Sequence, residues 1–261
     1  MPESIGAWVT RLGRWVRLHP VVGTRGHALL ARELISALQA CGLTVTRHAH
    51  SSGDLLIART SGMGPLLGVY NHYDVELGGR TDPLVTGDRV FGRGVADNLG
   101  PLALRISVLE RFGRQPNLLW VIEPGEEVGS HALASWLGAF GAPEVDLWLD
   151  ETGYFDVGGE QRILAIDTEN RWANVLNGCA KLSTTMGRPT RIERRRLRRV
   201  IDDAAYNVSN LFRGSPYIAL GPNDDHSDVH EDNESLPLDN IELSMLQFEL
   251  LLSMSSHEII P

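Results

Sequence analysis

The sequence predicts an α/β fold, a three-layer αβα sandwich around a mostly parallel central sheet, and three observations point to it. Short apolar runs end abruptly in polar or acidic residues, as in PLLGVYNHYD, NLLWVIEPGEE and VDLWLDETG. Stretches with apolar residues at helical spacing lie between them, so strand, polar tip and helix recur in turn. The chain has 261 residues, 43% of them hydrophobic, and can enclose a large core. A single domain over residues 1–261 is expected.

The elements follow in order. Residues 25–42 place Leu29, Leu30, Leu34, Ile35, Leu38 and Cys41 on one helical stripe, and Gly42 supplies a left-handed stop. LTVTRHA reads as a strand, and PLLGVYNHYD as a buried strand feeding a polar loop. DNLGPLALRISVLERFG reads as a helix, NLLWVIEPGEE as a buried strand, SHALASWLGAF as a helix and VDLWLDETG as another strand. Residues 152–190 lose this rhythm, and the basic run RIERRRLRRV after them reads as a solvated helix face. SPYIALGP is one more buried strand, and LDNIELSMLQFELLLSMSS a terminal helix.

A formal net charge of −9 argues against a protein that tracks nucleic-acid phosphates, which needs a cationic face. The two cysteines, Cys41 and Cys179, are too few for a disulfide framework and are not spaced as a thiolate metal site. No targeting leader and no run of 18 apolar residues is seen, so a soluble, unsecreted, cytoplasmic protein with no membrane partner is expected.

In open α/β sheets reactive groups gather beyond the carboxyl ends of the strands. Five groups of candidate residues lie at or near such ends. His72 and Asp74, two apart just past a strand, point to one side in extended backbone, so the carboxylate can hold the imidazole. Taken alone such a pair is more often a surface hydrogen bond. Asp97 lies in the glycine-rich GRGVADNLGP, where it could also cap a helix. Glu126 and Glu127 follow a strongly apolar strand; facing opposite ways, one could bind a metal and the other serve its water, or both could form a polar turn. Asp150 and Glu151 end the next strand, and His230 and Glu234 sit in SDVHEDNES after another. Together these supply nitrogen and oxygen ligands of the kind zinc accepts. Nucleophile elbow, P-loop and Cys-x-x-Cys motifs are absent.

The order of these motifs resembles the M20 family of zinc peptidases and amidohydrolases, which includes glutamate carboxypeptidase, acetylornithine deacetylase, succinyl-diaminopimelate desuccinylase and carnosinase. GVYNHYDVE resembles the family's H-x-D strand, TDPLVTGDRVFGRGVADNLGP its D-P-F…G-R-G-x-x-D-x-K-G-P block, EPGEEVGS its E-E-x-G-S block and GPNDDHSDVHEDNES its closing H-x-x-N-E block. The resemblance implies a zinc-exopeptidase-like catalytic domain holding two Zn2+ ions, or another divalent ion such as Co2+ or Mn2+. Asp97 would bridge them, with His72 and Glu151 completing one site and Glu127 and His230 the other. Asp74 would orient His72, and Glu126 would be the general base and acid. Asp150 stands one position from Glu151 as the alternative ligand. The family's lysine in D-x-K-G is Leu99 here.

Family members carry a lid domain between the last two ligands, but only about 80 positions separate Glu151 from His230. The lid is therefore expected to survive as a remnant at about 160–190, with Asn170 and Arg171 as candidate substrate-binding replacements for its groups. The function implied is hydrolysis of an amide bond in a small N-acyl amino acid, dipeptide or biosynthetic intermediate. The alternatives are an open-site aminopeptidase-like enzyme acting on a larger or carrier-bound substrate, and an inactive metal- or partner-binding module. The expected partner is a small-molecule or short-peptide substrate, and the expected state a monomer or a non-standard dimer.

Overall fold

Strands that are apolar along their whole length must be buried on both faces, because successive side chains point to opposite sides. In the computed structural model, which describes residues 3–151, 153–168, 171–195 and 208–256, this holds for the apolar stretches of β3 (Leu67–His72), β6 (Leu118–Glu123) and β7 (Leu147–Leu149), and for residues 55–58 within β2 (Gly53–Arg59). Leu56, Ala58, Val69, Trp120, Ile122 and Leu149 enter one core, while Leu55, Ile57, Tyr70, Val121 and Trp148 enter the other. The sheet is thus the middle layer of three.

Its order is β1-β2-β6-β3-β7-β11-β9-β8-β12, where β1 is Thr44–His50, β8 Tyr154–Phe155, β9 Gln161–Ile166, β11 Tyr217–Ala219 and β12 Asn223–Asp224. The central four strands β6, β3, β7 and β11 run parallel, and β1 with β2 adds an antiparallel edge. β10 (Thr190–Arg195) pairs with β9. Helices α1 (Glu3–Leu18), α2 (Arg25–Ala40), α3 (Leu99–Arg111), α5 (Arg171–Thr185) and α7 (Leu238–Ser255) pack over the larger core, and α4 (His131–Phe140) with α6 (Val208–Leu211) over the other. A small second sheet, β13-β5-β4, is built from Ser235–Pro237, Arg89–Phe91 and Leu84–Thr86.

Several sequence readings change. The strand before Glu126 and Glu127 stops at Glu123, so the two acids occupy a turn and their different directions do not come from strand alternation. The basic run beginning at residue 191 is a strand through Arg195, in which Glu193 meets Arg162 of β9 at 3.0 Å; residues 196–200 lie outside the described residues. The stretch 160–190 holds β9, built into the central sheet, and α5, packed on α7. Residues 3–18 form α1, whose Ile5, Trp8, Leu12 and Trp15 make one buried stripe.

Candidate active site

His72 is the last residue of β3 and is fully buried. Its Nδ1 lies 3.2 Å from Asp74 Oδ1, and its Nε2 lies 2.8 Å from Asp97 Oδ1 and 3.3 Å from Glu151 Oε2. The second oxygen of Asp97, Oδ2, lies 3.5 Å from His230 Nε2, which is 3.0 Å from Glu127 Oε2. Asp97 therefore turns one oxygen toward each histidine. His72, Asp97, Glu127, Glu151 and His230, drawn from five separate parts of the chain, meet at the carboxyl ends of the parallel strands.

Backbone restraints hold these groups. Asp74 accepts the N–H of Glu126 on Oδ1 and that of Glu127 on Oδ2, each at 3.1 Å, so one carboxylate fixes both the His72 ring and the turn carrying the two glutamates. Asp150 faces away from the histidines: it accepts from the Tyr217 hydroxyl and, at 2.8 Å, from Glu151 N–H. Of the two acids after β7, Glu151 is the one beside His72.

Glu234, marked in the sequence by its spacing from His230 and as the last residue of the H-x-x-N-E resemblance but given no role there, organises the site. It is buried, pairs with Arg93 at 3.0 Å and accepts the N–H groups of Gly94, Ala96 and Asp97 at 2.9–3.0 Å. Arg93 also donates to the carbonyl of His230 at 2.9 Å, so a single pair positions both the Asp97 turn and the His230 loop. Arg89 fixes the same loop through a two-pronged contact with Asp224 at 2.7 and 2.9 Å. Buried Arg105 donates to the carbonyl of Tyr70 at 2.7 Å and to that of Asp150, tying the ends of β3 and β7. A lone arginine within the apolar LALRISVL was the available signal for it.

The electrostatics suit a cation. Burial pushes Glu127 up to about 7, with Asp97 adding repulsion, and raises Glu126 and Glu151 in the same way. Burial alone would lower His72, but Glu151, Asp74 and Asp97 hold it well above its ordinary range. His230 is pushed up to about 9, chiefly by its hydrogen bond with Asp97 and by the Glu127 charge. Asp97 is held below the usual carboxylate range: burial opposes ionisation, but the hydrogen bonds to His230 and His72 outweigh it. Two acceptors, Glu127 Oε1 and Glu151 Oε2, are buried with no hydrogen-bond partner. His72, Asp97 and Glu127 offer ligand atoms within 4.8 Å of one another. Orphaned carboxylate oxygens beside imidazoles are the donor set a divalent ion takes, so the residues fit such a metal.

Of the two further candidates, Asn170 lies outside the described residues and Arg171 begins α5, the helix packed on α7.

Residues 68–252 match the model of peptidase family M20/M25/M40. The chain belongs to this family. The M20/M25/M40 members are metal-dependent hydrolases. A curated relative, succinyl-diaminopimelate desuccinylase of Rhizorhabdus wittichii, is 29% identical over 157 residues, covering 53% of this chain and 41% of that protein, so the match spans less than half the relative's length. The M20 family metallo-carboxypeptidase Sso-CP2 from Sulfolobus solfataricus is similar over 62% of this chain and 40% of its own, with 21% identity and a TM-score of 0.52. Aminopeptidase PepT from Bacillus cereus ATCC 10987 is similar over 97% of this chain and 98% of its own, with 12% identity and a TM-score of 0.67. At these identities the two structures speak for the fold. Among the described residues no helix is long and apolar enough to cross a membrane.

Proposed function

We propose that the chain hydrolyses an amide bond in a small N-acyl amino acid, dipeptide or biosynthetic intermediate, using two divalent ions, zinc by preference. The observation that carries this reading is Asp97, which presents one carboxylate oxygen to His72 and the other to His230. His72, Asp97 and Glu151 would hold one ion, and Asp97, Glu127 and His230 the other. When bound, such ions supply Lewis-acid polarisation of the scissile carbonyl and acidify water.

The protein's own groups do the rest. Glu126, half-buried and raised by burial, takes a proton from the attacking water and returns it to the leaving amine, as a carboxylate tuned toward neutrality does well. Asp74 fixes the His72 ring and, through two N–H contacts, the Glu126–Glu127 turn. The open-site alternative has one observation in its favour: the His230 side chain is 50% exposed, leaving room for a longer substrate.

The test is metal content and hydrolysis of a panel of dipeptides and N-acyl amino acids by native protein and Glu126→Gln. Losing a general base or acid costs roughly 10²–10⁴-fold. The expected result is a metal-loaded variant with kcat reduced at least about a hundredfold. Unchanged activity in the variant would remove Glu126 from the reaction, and a metal-loaded native protein inert on every substrate would refute the hydrolase reading.

A further inference from the structure

Helix α2 carries a buried histidine that the site described above does not use. His27 stands in the first turn of the helix, where the Thr24 hydroxyl caps it by accepting the His27 N–H at 3.2 Å, and it is 4% exposed. Its Nε2 lies 2.7 Å from the carbonyl oxygen of Pro124. A carbonyl oxygen can only accept, so Nε2 carries a hydrogen and donates it. Burial lowers the pKa of the ring and so favours its neutral form. Pro124 is buried and has no N–H, which leaves its carbonyl as its one backbone hydrogen-bonding group. Glu126 and Glu127 follow directly after Gly125. Asp74 grips the N–H groups of these two glutamates, and His27 grips the near end of the same turn from a helix 97 positions earlier in the chain.

The ring is closely packed where it makes this contact. It stacks on Tyr73, with ring centroids 4.6 Å apart and planes inclined by 22°. Tyr73 stands between His72 and Asp74, and it donates its hydroxyl to the Asp54 carbonyl and its N–H to the Glu123 carbonyl, each at 3.0 Å. On the other side lies Gly53, where a Cβ would come within 2.5 Å of His27 Cε1, 2.9 Å of Pro124 Cβ and 3.1 Å of the Tyr73 hydroxyl. Three elements therefore converge on a position that has room only for glycine, and the imidazole has little space in which to leave the carbonyl.

We propose that His27 is a positioning residue for the turn that carries Glu126 and Glu127. The proposal rests on the functional reading above for what those two glutamates do. Without the Nε2–H the Pro124 carbonyl is buried and loses its donor, and the turn relaxes away from the geometry that Asp74 and His27 impose together. A displacement of about 1 Å at a reacting group can cost roughly a hundredfold in rate.

Two variants separate the hydrogen bond from the packing. His27→Phe keeps a ring to stack on Tyr73 and removes the donor, whereas His27→Gln places an amide N–H near the position of Nε2. Zinc affinity is measured on folded protein by competition with a chromophoric chelator, and kcat and KM on whichever dipeptide or N-acyl amino acid the native protein hydrolyses. His27→Phe should weaken zinc binding roughly tenfold or more, the scale set by losing a group behind a metal ligand, and lower kcat by a similar factor with KM little changed. His27→Gln should restore most of both. A loss in either readout that glutamine repairs upholds the role. A purely structural role would lower the Tm of His27→Phe and leave both readouts at native values; that result, or a loss that glutamine does not repair, overturns the proposal. If His27→Phe fails to fold, His27→Asn, whose amide is one methylene shorter, must show the loss relative to His27→Gln. A native protein inert on every substrate refutes the hydrolase, while zinc affinity still decides the role of His27; hydrolysis that His27→Phe leaves untouched, with zinc affinity unchanged, refutes the role of His27 alone.

Discussion

Asp74 and Glu234 do comparable work by different routes, and each supports a prediction. Asp74 accepts three donors: the His72 ring and the N–H groups of Glu126 and Glu127. An asparagine there offers one oxygen where two are used, so Asp74→Asn should weaken zinc binding roughly 10–100-fold, the usual cost of losing a carboxylate behind a liganding histidine; competition with a chromophoric chelator measures it. Glu234 forms a buried pair with Arg93, and removing one partner of such a pair costs about 3–5 kcal/mol. Glu234→Gln should show most of that loss in urea unfolding, and a near-neutral result would mean that the three N–H contacts to the Asp97 turn matter more than the charge. The sequence made Asp74 legible because spacing alone puts it beside His72. Glu234 was hidden because its partners lie about 140 positions away, and no local pattern records a contact of that kind.

The elements that could be read were those whose burial imposes a period. β3, β6 and β7 are apolar along their length because both faces are covered, and α2, α3, α4 and α7 show their apolar spacing. α1 carries an equally plain stripe, Ile5, Trp8, Leu12 and Trp15. β10 resisted because, among the described residues, it pairs with one strand alone; a charged edge strand has no apolar period and is protected from further pairing by those same charges. The turn from β5 into α3 also supports a prediction. A Cβ on Gly100 would come within 1.9 Å of the Val95 carbonyl oxygen, a backbone atom that cannot step aside without moving Asp97. Gly100→Ala should therefore cost at least the roughly 1–3 kcal/mol of ordinary overpacking and lower zinc affinity as well. Thermal unfolding with and without zinc separates the two effects, and an unchanged zinc response would show that the Asp97 turn does not depend on this close approach.

On the scale of the whole molecule, the fold gathers Asp74, Asp97, Glu126, Glu127 and Glu151 around two histidines, with burial making their charges costly. The strands that deliver them come from the central sheet and the loops from its rim, so the site's integrity and the fold's are linked. A ligand that binds only the folded chain stabilises it by about 2.7 kcal/mol at a hundred times its dissociation constant. For a domain of this size each kcal/mol moves the midpoint by roughly 2–4 °C, so zinc at that excess should raise the Tm by about 5–10 °C and a chelator should reverse the rise. Asp97→Asn should abolish most of the increase, because it weakens the one group shared by both histidine sides. Glu126→Gln, which alters no proposed ligand, should keep the increase in full. A variant pair that behaved alike would mean that the stabilising ion sits elsewhere than between His72 and His230.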